Sequence, residues 1–134
     1  MTPPATQKAA PPDPFADIDP DIFDPSRLTD VFGEFGPEAR AFLARFLGDA
    51  PAAAARVTTP LTAGDKDGAH HAAHALKGAA GSVGAVRLAR LAGDVQDALE
   101  AKDAATAELL AGLLEPTVAE LRAALAGLAE GKHA

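Results

Sequence analysis

Residues 70–84 read His-His-Ala-Ala-His-Ala-Leu-Lys-Gly-Ala-Ala-Gly-Ser-Val-Gly. Placed on a helix at about 100° per residue with His74 at zero, Leu76 and Val83 fall at roughly 180° to 200°. Ala69, Ala72, Ala79 and Ala80 fill in around them, so that side reads as core. His70, His71, Lys77, Gly78 and Gly81 all lie within about 60° of His74. Three imidazoles, one ammonium and two residues without side chains therefore share one exposed stripe. Asp65 is positioned to begin this helix, and Gly84 to end it as a left-handed cap.

Outward from this helix the period stays helical. Asp24 and Pro25 suit the start of a short leading helix anchored by Leu28, Val31, Phe32 and Phe35. A second helix begins near Pro37, with Ala39, Phe42, Leu43, Phe46, Leu47 and Ala50 on one face. Pro51 is expected to kink or restart it, with helix continuing to about Thr59 and a loop over residues 60–64. A fourth helix spans about residues 86–101, placing Leu88, Leu91, Val95 and Leu99 together. A fifth runs over about residues 104–128 through Leu110, Leu114, Val118, Leu121, Leu125 and Leu128, kinked at Pro116. No alternating strand pattern competes, and the short connections predict an all-α fold: an antiparallel up-down four-helix bundle with a short additional N-terminal helix.

Composition agrees. The 134 residues suit one compact domain, and with six Phe, no Trp and no Tyr the core must be mostly Leu, Val and Ala, which favours closely packed helices. Residues 1–24 are rich in proline and are expected to form a flexible tail, although Phe15, Ile18, Ile22 and Phe23 could dock on the bundle. The helical domain is expected over residues 25–129, with a short C-terminal tail at 130–134. No Cys is present, which excludes a disulfide framework and a thiolate site. No signal-peptide core or membrane span is visible, so a cytoplasmic location is expected. A net charge of −7 without a basic cluster argues against nucleic acid and for a protein partner.

Glycine inside a helix costs about 1 kcal/mol relative to alanine. Gly78 and Gly81 beside His74 are therefore explained best by close approach of a partner backbone. The segment from His74 through Lys77, Gly78 and Gly84 resembles the phospho-accepting segment of histidine phosphotransfer (HPt) domains, whose pattern is H-x-[LI]-K-G with a further glycine six residues on. The resemblance covers about residues 25–129. It implies that His74 is the phospho-acceptor, that Lys77 assists at the phosphoryl oxygens, and that Gly78 clears the docking surface. It also implies that Gln96 on the next helix orients the ring, by accepting from Nδ1–H and leaving Nε2 free to attack.

His70, His71 and Gly81 would then belong to the docking surface. The implied partners are receiver domains of response regulators and a histidine kinase, with Mg²⁺ held in the receiver and no cofactor held here. The chain would be a monomeric phosphorelay intermediate with no ATP-dependent kinase activity of its own. Two alternatives remain open from the residues alone. His70 and His74, spaced i, i+4, could share a metal ion, although no carboxylate on the same helix completes a ligand set. The bundle could also serve only to bind proteins.

Overall fold

The computed structural model describes residues 15–129, all of whose regular structure is helical. The helices are α1 (Ser26–Phe32), α2 (Pro37–Thr62), α3 (Lys66–Val83), α4 (Val86–Glu100), α5 (Ala104–Ala111) and α6 (Leu114–Ala129). Helix α3 packs between α2 and α4, α2 also meets α6, and α4 meets both α5 and α6. Leu28, Leu43, Val57, Leu76, Leu88, Val95, Leu114, Leu121 and Leu125 form the enclosed centre. Alanines fill the closest contacts, at Ala69, Ala73 and Ala80 on α3 and at Ala92 and Ala98 on α4. Side chains this small let helix axes approach closely, which compensates for the scarcity of aromatic residues.

Chain punctuation sets the boundaries. The side chain of Asp65 accepts from Gly68 N–H and caps the start of α3. At its end Gly84 takes φ 91°, while Ala85 N–H returns to the Ala80 carbonyl at 2.8 Å. Helix α4 starts immediately afterwards, so the turn is as short as expected. Asp103 caps α5 through Thr106 N–H, and the Thr106 hydroxyl and N–H together hold the Asp103 carboxyl below the ordinary aspartate range.

Several expectations are corrected. Helix α2 runs unbroken through Pro51 and Pro60 rather than ending before a loop at 60–64. Its end lies beyond Pro60 because Gly64, at φ 86°, closes the cap with Asp65 N–H bonded to the Pro60 carbonyl. The expected single fifth helix is two, α5 and α6, separated at Gly112 and Leu113. In a continuous helix the Pro116 ring would collide with the Gly112 carbonyl four residues earlier. With the break ahead of it, Pro116 sits in the first turn of α6, where a missing N–H costs nothing. Val31 and Phe42, expected as core anchors, are exposed, and the Phe42 ring rests against Phe32 at 5.8 Å. On α3, Ala79 is exposed and Ala73 is buried, so the core face is rotated slightly from the expected one.

The largest correction concerns residues 15–24, expected as part of a flexible tail. Phe23 is only 1% exposed, and Phe15 packs its ring against Phe23 at 5.8 Å and Phe35 at 4.9 Å. Ile18 and Ile22 also pack on the core. The backbone fastens across the α3–α4 turn, with Asp24 N–H donating to the Gly84 carbonyl at 2.8 Å and Val86 N–H donating to the Ile22 carbonyl at 3.0 Å. Arg87 adds ion pairs to Asp19 at 3.7 Å and Glu120 at 2.8 Å. The apolar residues thus offset the ordering cost that the prolines suggested would prevail. Residues 1–14 of the tail expected over 1–24, the expected tail at 130–134 and the side chain of Leu128 lie outside the described residues.

Gly84 carries two demands at once, a left-handed backbone and room for the Asp24 carbonyl, which a Cβ would strike. Gly84→Ala is therefore expected to lose at least about 2 kcal/mol of stability in urea unfolding. A loss below about 0.5 kcal/mol would contradict this account of the turn.

Candidate functional site

The tight turn at Gly84 and Ala85 folds α4 back along α3, and side-chain pairs record the antiparallel register. His70 Nε2 lies 2.8 Å from Glu100 Oε2, and His74 Nδ1 lies 3.1 Å from Gln96 Nε2. The Lys77 stem crosses buried Gly93, with Cδ 3.4 Å from where a Cβ would stand. Each step up α3 is thus matched by a step down α4. The expected pairing of His74 with Gln96 across the two helices is present.

Its polarity is not the expected one. The amide nitrogen, not the oxygen, faces the ring, and it also donates to Glu100 Oε2 at 3.3 Å. An amide nitrogen donates and has no accepting lone pair, so this orientation favours the neutral ring that has its lone pair on Nδ1 and its proton on Nε2. Gln96 Oε1 is buried and has no hydrogen-bond partner among the described residues. Glu100 is held below the ordinary carboxylate range, first by its hydrogen bond with His70, with further help from the His70 charge, Gln96 and Lys77.

His74 is exposed and its Nε2 edge meets no partner among the described residues. Lys77, one turn on, is exposed and makes no ion pair or hydrogen bond within the described residues. Gly78 and Gly81 leave the strip beyond His74 bare: a Cβ at either would meet nothing within 4 Å. Gly81 lies inside α3 rather than at a frayed end. His71 is exposed and turns Nδ1 to the Asp67 carbonyl at 2.9 Å, away from His74. His70 is drawn into the pair with Glu100, so it belongs to the His74–Gln96–Glu100 chain as much as to the surface. Among the described residues no group of three or more His, Cys, Asp or Glu side chains is arranged to hold a metal ion.

Helix α1 supplies residues that the sequence did not reveal. Asp24 meets Gly84, and Arg27 Nε donates to the Gly81 carbonyl at 3.3 Å, so α1 ascends as α3 descends. Val31 follows one turn further along α1, on the same side as Arg27. Val31 is 73% exposed. Helix α1 thus brings a cation to the Gly81 end of the bare strip and carries an unburied aliphatic side chain one turn on, a combination suited to a transient protein contact. Glu100 was legible in principle, because a tight α3–α4 hairpin puts it opposite His70. Arg27 and Val31 were not, because their position depends on how residues 15–24 fasten α1.

A family model, the Hpt domain, matches residues 41–131. The chain belongs to the Hpt domain family. No curated protein and no solved structure matches it. Hpt domains take part in histidine phosphotransfer within phosphorelays and act as carriers without kinase activity of their own. Their interactions are with receiver domains and histidine kinases. The match begins within α2, so α1 and the segment before it lie outside the matched Hpt region. No described helix is long and apolar enough to cross a membrane.

Gly78 gives up helix stability and leaves the surface next to His74 bare. Gly78→Ala is expected to gain up to about 1 kcal/mol in urea unfolding, because the new methyl meets open space in a helix interior. The same variant should slow phosphoryl transfer from a receiver domain. A loss of stability, or transfer at the wild-type rate, would contradict the role assigned to the bare strip.

Proposed function

We propose that His74 accepts a phosphoryl group from the aspartyl phosphate of one receiver domain and passes it to the aspartate of another. The observation that carries this reading is the imidazole itself: Nδ1 is tied to Gln96 while the Nε2 edge faces outward beside unpaired Lys77 and the bare Gly78–Gly81 strip. In the forward step the neutral ring first shifts its proton to Nδ1, after which the Nε2 lone pair attacks phosphorus and an N–P bond forms. The P–O bond to the donor aspartate breaks, and its electron pair leaves on the carboxylate. The Nδ1 proton then departs to water, giving a neutral phosphoimidazole whose Nδ1 lone pair can accept the Gln96 N–H. The return step reverses these events.

Lys77 would offset charge accumulating on the phosphoryl oxygens, reaching them on a flexible stem with three donors. Mg²⁺ would be supplied by the receiver's own site. Gly78 and Gly81 would admit the receiver backbone, with His71, Arg27 and Val31 at the rim of a transient interface. The unit doing this would be a monomeric, up-down antiparallel bundle acting in the cytoplasm. Residues 15–24 would belong to that unit, and residues 25–129 would supply its helices.

A relay assay with two receivers tests the reading. One receiver is phosphorylated in the presence of Mg²⁺, and transfer to the second is followed with a small amount of this chain present. Wild type is expected to carry phosphate between them, His74→Gln to carry none, and Lys77→Ala to be slower by about tenfold or more. Continued transfer by His74→Gln would overturn the assignment.

A further inference from the structure

The hydrogen bonds around Gln96 raise a question that phosphotransfer alone does not answer. Attack from Nε2 needs the neutral tautomer with its proton on Nδ1, yet the amide nitrogen directed at Nδ1 stabilises the opposite one. What holds the amide this way is Glu100. Its Oε2 takes the second amide hydrogen at 3.3 Å and is itself fixed by His70 Nε2 at 2.8 Å. Turning the amide round would set its oxygen against the Glu100 carboxylate and leave the NH₂ group in the buried position where Oε1 now has no partner. Both consequences are unfavourable, the first by repulsion between two acceptors and the second by an unmet donor.

We infer that Glu100 is a positioning residue for the transfer reaction, selecting the tautomer of His74 through the Gln96 amide. It favours the ring with a lone pair on Nδ1, which is the form of the neutral phosphoimidazole, over the Nδ1–H form from which Nε2 attacks. Glu100 thus restrains acceptance by the free protein and suits the site to the phosphorylated state. His70 acts behind it by fixing the carboxylate, and Lys77 is the other charge that favours ionised Glu100. The inference rests on His74 being the transferring residue, but the tautomer can be read without any phosphoryl donor.

Long-range ¹H–¹⁵N correlation spectra of the full chain at about pH 8.5, above the ordinary imidazole range, report which ring nitrogen of His74 carries the proton. Wild type is expected to show the Nε2–H form. Glu100→Ala should raise the Nδ1–H population by about tenfold, the scale of losing one hydrogen bond to a charged acceptor. Glu100→Gln, which retains an oxygen acceptor, should stay nearer wild type. A wild-type Nδ1–H form, or a tautomer ratio unmoved in Glu100→Ala, would overturn the inference.

Phosphoramidate, a small phosphoryl donor, supplies the kinetic arm. Glu100→Ala is expected to phosphorylate at His74 several-fold faster than wild type, with Glu100→Gln close to wild type. A shifted tautomer without a faster reaction would remove Glu100 from the transfer step. If wild-type His74 takes no phosphate from either phosphoramidate or a phosphorylated receiver, the phosphotransfer reading itself fails, while the spectra still decide whether Glu100 sets the tautomer.

Discussion

The antiparallel seam between α3 and α4 is the constraint on which both fold and site depend. It is narrow because Ala73, Ala80, Ala92 and Gly93 occupy it, and it is in register because Gly84 and Ala85 make so short a turn. Register is what converts sequence spacing into chemistry here. A helix slipped by one residue along this seam would carry Gln96 away from His74 and Glu100 away from His70. The segment over residues 15–24 closes the same turn from outside, since its backbone bonds to Gly84 and Val86. The end of the hairpin is thus fastened by backbone bonds from outside it, and His74 lies exposed further along α3.

That arrangement explains how an exposed histidine can have a defined orientation. Burial usually fixes a side chain, but a ring that exchanged phosphoryl groups with a second protein, as proposed for His74, would have to stay accessible. The hairpin resolves the conflict by fixing one ring nitrogen from α4 and leaving the opposite edge clear. Gly78 and Gly81 forgo helix stability on the same face, Arg27 lies exposed at its Gly81 end, and Val31 is exposed one turn on along α1. The bare strip and the oriented ring are separate departures from what helix formation alone would choose, and exposed Lys77 lies beside them. They coincide on one surface.

Much of this was legible in the sequence because the informative signals are local. The period of residues 66–83, the Asp65 cap and the Gly84 stop define α3 and its histidine stripe before any packing is known. The pairing of His74 with Gln96 was implied by the resemblance to HPt domains rather than read from the spacing. Signals that depend on distant partners were not legible. The prolines of the leading segment suggested disorder, whereas Phe15, Ile18, Ile22 and Phe23 find places on the core. Pro60 suggested a loop, but the cap at Gly64 carries α2 past it, and Pro116 suggested a kink where the chain instead breaks two residues before α6. The direction of the Gln96 amide depends on Glu100, a residue that the motif does not contain.

The central claim is that the outward nitrogen of one particular ring carries the phosphoryl group. Phosphorus NMR of the ¹⁵N-labelled chain, after reaction with a phosphorylated receiver domain, observes that bond directly. The account predicts a single phosphoimidazole resonance coupled to Nε2 of His74. Phosphate bonded to Nδ1, to another histidine or to an oxygen of the chain would contradict it.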